Sequence, residues 1–184
     1  MGPDRSPARR QLSRGHFGEN CAPHRRRDAG IQPPVRCDRG VDPLGRKLGY
    51  RTRDEETRFA HQLIEHGIAV VHGHSSHHVK TAEIHSDRLV LYGCGDFLND
   101  YEGISGNEVF RSDLRLMYLP AIDPRRGQLV EARLVPMRVA CFRLNRGGGA
   151  DAEWLCDLLN RLGVPLGTRG ELAPDHTLTL HPFT

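Results

Sequence analysis

The sequence predicts an α/β domain over residues 50–184. A helical pattern ends at Gly67 and runs directly into the apolar run Ile68–Val71. Further short runs of strand character follow, separated by strong turn signals. Polar, glycine-punctuated loops come after the first apolar runs, the α/β habit of placing ligands at strand carboxyl ends.

The elements can be justified in order. Thr52 and Glu55 fit a capping box, and the acidic residues at 54–56 suit the positive end of a helix. Phe59, Ala60, Leu63 and Ile64 share one helical face, with Gly67 as its C′ residue. Ala82–His85 and Arg88–Tyr92 read as strands around the turn Ser86-Asp87. Leu114–Ile122 and Gln128–Met137 read as a hairpin about the turn at residues 123–127, and Val139–Leu144 as a further strand. Asp151 can N-cap a helix that buries Trp154, Leu155, Leu158, Leu159 and Leu162 and stops at Gly163 and Pro165. The last twenty residues are weakly patterned.

Residues 1–49 differ in kind. They carry eleven Lys and Arg against five Asp and Glu, whereas the remainder carries fifteen against eighteen. This Arg/Pro-rich arm has little apolar periodicity and reads as disordered. Its charge could contact phosphates, but no reading module accompanies it, so a solvated segment is favoured over nucleic-acid binding. The five cysteines are odd in number and form no C-x-x-C pair, so neither a zinc ribbon nor a disulfide framework is indicated. No apolar run approaches the ~20 residues of a membrane span, and no secretory h-region is present. The default expectation is a cytoplasmic protein.

Chemistry concentrates in His72–Tyr101, which holds five of the eleven histidines. His74 and His77, in G-H-S-S-H, are candidate metal ligands, because neutral imidazole suits borderline transition ions. His72 could ligate, act as an acid or base, or be a satisfied strand-end histidine. His78 reads as a surface residue. Asp96 and Asn99 could orient ligands or bind substrate, or simply cap turns. Glu83 could position a histidine or belong to an ordinary strand face. Cys94, between two glycines, reads as packing.

The run V-V-H-G-H-S-S-H-H, then A-E-I, then L-V-L-Y-G-C-G-D-F-L-N-D-Y, resembles the CapA-type proteins of poly-γ-glutamate capsule synthesis. Those belong with the calcineurin-like metallophosphoesterases. Gly73-His74 and His77 match the family's G-H and closing His. Glu83 matches its Glu, and Tyr92, Gly95 and Phe97 match its Y-x-x-G-x-F. Ser75-Ser76 stands where His-Pro is usual, and Asp96 where Asn is usual. The resemblance covers about residues 50–144.

It implies the C-terminal portion of a four-layer metallophosphoesterase-like sandwich and metal-assisted hydrolysis of a phosphoester-like bond or polymer substrate. His74 and His77 would be ligands to divalent Mn, Zn or Fe, in a site that is dinuclear in complete relatives. His72 would act catalytically near substrate, with Glu83, Asp96 and Asn99 behind the ligands or at the substrate. Capsule-synthesis partners are implied too. The alternatives are a non-catalytic scaffold in polymer export, or nucleic-acid binding through the arm.

The family's G-D-x-M strand, N-N-H motif and H-W-G strand end do not occur in this frame, so a truncated or frame-shifted copy with an open sheet edge is expected. Permitted codons for Asp42–Gly49, moved forward one base, read Ile-His-Trp-Gly-Gly-Asn-Trp-Gly. Sequencing the coding DNA should therefore reveal His-Trp-Gly in the shifted frame just before Tyr50. A shifted frame without it would make the arm genuine protein.

Overall fold

A computed structural model describes residues 35–37, 49–74, 76–99 and 108–183. It is a mixed α/β structure of two sheets and two α-helices. The first sheet is built from β1 (Val35–Cys37), β2 (Val70–Gly73), β3 (Ala82–His85) and β4 (Arg88–Leu91), in the order β1-β2-β4-β3. The β1-β2-β4 pairings are parallel, and β3 closes the sheet antiparallel to β4. Helix α1 (Asp54–Glu65) leads into β2.

The second sheet contains β5 (Leu114–Ile122), β6 (Leu129–Ala140), β7 (Arg143–Arg146), β8 (Thr168–Leu172) and β9 (Leu178–Pro182). Its strands run β5-β6-β9-β8 and are antiparallel throughout, with β7 folded back on the end of β6. Helix α2 (Gly149–Gly163) connects β7 to a short 3₁₀ turn before β8.

The alternation along β4 explains the layering. Leu89 and Leu91 enter the large core with Leu114, Leu116 and Leu134 of the second sheet and Leu155, Leu158 and Leu159 of α2. Val90, between them, packs with Val71 beneath Ala60 and Ile64 of α1. A strand buried on both faces reads as a continuous apolar run, as Leu89-Val90-Leu91 does. Each such side chain contributes roughly 1.5–3 kcal/mol of burial.

Polar contacts fix how the sheets meet. The Arg88 guanidinium donates to the carbonyls of Arg126 and Gly127, both at 3.1 Å. Leu129 N donates to Asp87 O at 2.7 Å, so the β3–β4 turn locks onto the β5–β6 turn. On the outer side of β3, Ile84 N donates to Thr168 Oγ1 at 2.7 Å. The first sheet thus meets β8 at one margin and ends on the short strand Val35–Cys37 at the other.

Several expectations need correction. Helix α1 is capped one residue later than Thr52: Arg53 N donates to Glu56 Oε2 at 3.0 Å, because Glu56 occupies the N3 position. Phe59 lies on a largely solvent-facing side, 44% exposed. Asp151 is the N3 residue of α2 and not its N-cap. It accepts from Gly148 N at 3.3 Å and from Arg111 at 3.0 Å.

The strand expected at Val139–Leu144 is broken by a two-residue hairpin at Cys141-Phe142. These residues have φ of 51° and 55°, a conformation that non-glycine residues seldom take. The weakly patterned C-terminal stretch forms the β8–β9 hairpin. Within the arm, Val35–Cys37 is a strand, and the rest of residues 1–48 lies outside the described residues.

His78 is the largest departure, since it is fully buried and not on the surface. Its ring packs edge-on to Tyr50 at 4.8 Å and stacks on Phe110 at 4.9 Å. Its Nδ1 donates to Val79 O at 3.0 Å, and its Nε2 accepts from Gly49 N at 3.1 Å. This pattern requires the neutral tautomer with its proton on Nδ1. Burial pushes its pKa down, outweighing the bond to the Val79 carbonyl, and the positive charge of Lys80 adds to the lowering.

The lowered value sets the sign of a pH effect. Below the ordinary histidine pKa of ~6.5, the unfolded chain binds a proton that folded His78 resists. Stability is full above that pH and falls as the pH drops beneath it, by at most about 1.4 kcal/mol per pH unit from this residue. Urea unfolding at pH 7.5 and 5.5 should show that loss. His78→Gln should be less stable at pH 7.5 but show a smaller difference between the two pH values. An unchanged difference would remove His78 as the cause.

Candidate functional site

The site arises from parallel pairing. Because β2 and β4 run side by side in the same direction, the loops that follow them leave the same edge of the sheet. The two loops then pair with each other. Lys80 N donates to Gly93 O at 2.9 Å, Tyr92 N donates to Thr81 O at 3.1 Å, and Val79 bridges Cys94. Ser76 Oγ accepts from Gly95 N at 3.3 Å. Gly95 has φ +73°, and a Cβ there would lie 3.1 Å from the His78 carbonyl carbon, so glycine is required on both counts.

These constraints bring His77 and Asp96 together from opposite loops. His77 Nδ1 and Asp96 Oδ2 are 2.7 Å apart, and Asn99 Nδ2 donates to the same oxygen at 3.4 Å. The His77 and Asp96 side chains are 21% and 26% exposed, so the pair is accessible. Asn99 Oδ1 is buried with no hydrogen-bond partner among the described residues. His72 is half-buried on β2, with Leu91 as its register partner, and His74 is exposed just past the strand end. Ser75, Asp100 and Tyr101 lie outside the described residues.

Glu83 belongs to a different group. Its Oε1 is 2.8 Å from His61 Nε2 and 3.9 Å from His85 Nδ1, and its Oε2 accepts from Tyr92 OH at 2.6 Å. Glu83 and His85 are two apart on β3 and share a face. Ala82 and Ile84 turn the other way, into the large core. Glu83 therefore lies on the α1 side of the sheet with Tyr92, and its hydrogen-bonded histidine is His61. The Tyr92 phenol is raised well above its usual pKa by burial and by its bond to Glu83, so it remains a donor.

Two candidate residues escaped the sequence reading. His61 gave no signal beyond a polar residue beside the apolar stripe of α1. Lys80 is half-buried beside Gly93, and burial lowers its pKa. The charge of Glu56, at the start of α1, opposes that shift. Burial pushes the Cys94 thiol up to about 12, with Tyr118 beside it, which fits packing and not nucleophilic chemistry.

Comparison with known proteins bears on the same stretch of sequence. Residues 44–101 match the model of the family described as "Bacterial capsule synthesis protein PGA_cap", a span that contains His72, His74, His77, Glu83, Asp96 and Asn99. Over 138 residues, 75% of the chain, it is 46% identical to proteins from two strains of Mycobacterium tuberculosis, each named "Probable polyglutamine synthesis accessory protein". The chain spans 36% of the length of those relatives. Among the described residues no helix is long and apolar enough to cross a membrane. Over residues 44–101, which hold the histidine loops, the chain is thus similar to the CapA-like bacterial capsule synthesis proteins.

Proposed function

We propose that the chain supplies the histidine loop of a divalent-metal site in a CapA-like protein of polyglutamate-type polymer synthesis. The carrying observation is the His77–Asp96 pair. A carboxylate on Nδ1 holds imidazole in the tautomer whose Nε2 carries the lone pair, the arrangement common behind metal-bound histidines. The donor types fit a borderline ion such as Mn²⁺, Zn²⁺ or Fe²⁺, with His77 and His74 as the residues that would hold it. The buried Asn99 Oδ1 is a further polar atom at this place. Among the described residues these donors are fewer than a closed site uses, so the tight site belongs to a more complete protein, with the four-layer sandwich as its architecture.

When bound, the metal would polarise a phosphoester-like oxygen and activate water. The chain's own side chains have narrower tasks. Asp96 orients His77, Asn99 steadies Asp96, and half-buried His72 on β2 would serve as acid or base. Glu83 has no part in this group, because its oxygens serve His61 and Tyr92. A second reading is a non-catalytic accessory role in polymer synthesis, and the name of the two mycobacterial relatives favours it.

Titration calorimetry of the full chain with Mn²⁺ should lose one binding equivalent in His77→Ala. Affinity at that equivalent should fall about 10- to 100-fold in Asp96→Asn and stay unchanged in His176→Ala. Equal losses in all three variants would reduce the binding to nonspecific histidine contacts.

Hydrolysis of bis(p-nitrophenyl) phosphate separates the two readings. Metal-dependent turnover that falls at least tenfold in His72→Ala supports hydrolytic chemistry. Metal binding without turnover supports the accessory role.

A further inference from the structure

We propose that His61, Glu83 and His85 form a second divalent-cation site, of the Zn²⁺ class, separate from the His74–His77 loop. Among the described residues this is the one set of three potential ligands whose donor atoms all lie within 4.8 Å of one another. Its centre is a carboxylate only 3% exposed, whereas the two histidine side chains are each 27% exposed. A buried anionic ligand flanked by accessible imidazoles leaves room for water in a fourth position, as three-ligand His₂Glu sites require.

Hydrogen bonding alone does not account for His85. The Glu83 oxygens are already served by His61 and Tyr92, and His85 Nδ1 at 3.9 Å is beyond hydrogen-bond distance. Yet the His85 ring lies flat on His61, with centroids 3.6 Å apart and planes within 4°. Two donors each about 2.0–2.2 Å from a tetrahedral ion lie about 3.3–3.5 Å apart. The separations from Glu83 Oε1, 2.8 Å to His61 and 3.9 Å to His85, bracket that value.

Ligation requires the rings to tilt out of parallel, because in-plane lone pairs of stacked imidazoles do not converge. His85 is the last residue of β3 before the Ser86-Asp87 turn and is accessible enough to do so. The proton shared between His61 Nε2 and Glu83 Oε1 leaves as the ion enters. The Tyr92 hydroxyl holds Glu83 Oε2 from behind, as partners of metal-bound carboxylates do.

Co²⁺ reports the site directly, since four-coordinate Co²⁺ gives intense visible absorption bands. The full chain carrying His74→Ala and His77→Ala should still bind one Co²⁺, displaced by Zn²⁺. Adding His85→Phe, which keeps a stacked ring but removes the donor, should weaken binding more than about tenfold and abolish the bands. His61→Gln in the same background should do the same if the phenylalanine variant does not fold. Zn²⁺ should raise the thermal midpoint of the histidine-loop variant but not of its His85→Phe derivative. A histidine-loop variant that binds no Co²⁺, or one that keeps its affinity and bands after His85 is replaced, would overturn the proposal. Neither result depends on the His74–His77 loop holding a metal.

Discussion

Parallel pairing of β2 with β4 is the constraint on which both candidate sites depend. It sends two loops from one sheet edge, and they have nowhere to go but alongside each other. The antiparallel return of the chain then forces a close approach at Gly93 and Gly95, where side chains would strike the Lys80 chain or the His78 backbone. Ser76, which stands where the family usually has proline, supplies a hydroxyl to Gly95 N instead. A polar fastening thus takes the place of a stiff residue, and the outcome is the approach of His77 to Asp96 across nineteen positions of sequence.

The same strand pair has two faces, and α1 covers only one. Val71 and Val90 bury that face, while Glu83 and Tyr92 sit on it as polar intrusions. A buried carboxylate is costly unless paired, and Tyr92 and His61 provide the partners. Removing Tyr92 OH or His61 would leave an acceptor exposed to apolar surroundings. That makes the group a structural element of the α1–sheet contact whether or not an ion enters it. Ion binding at Glu83 and packing of α1 are therefore coupled in free energy, since both act on the same carboxylate.

What was legible in the sequence follows a physical division. Strands whose signal is local came through with their boundaries intact, as Ala82–His85 and Leu114–Ile122 show. The buried face of α2 was legible from helical spacing, with Leu155, Leu158 and Leu159 all inside. The Cys141-Phe142 hairpin was not legible, because its positive φ values are imposed by pairing between β6 and β7 and not by turn residues. The β8–β9 hairpin was hidden for a related reason: its alternation is short, and its burial comes from α2 and β6.

The histidines divide in the same way. His74 and His77 were recognisable because the loop motif is contiguous. His78, one position further on, looks identical in sequence yet is enclosed by Tyr50 and Phe110, residues 28 and 32 positions away. Neighbours that distant leave no local trace. Its enclosure has a consequence for His77, since a neutral, fixed His78 anchors the backbone from which the His77 ring projects. The most buried imidazole is thus the support of the accessible one. The histidines thus resolve into a support at His78, a ligand candidate oriented by a carboxylate at His77, and a separate pair at His61 and His85 to which the sequence pointed only through Glu83.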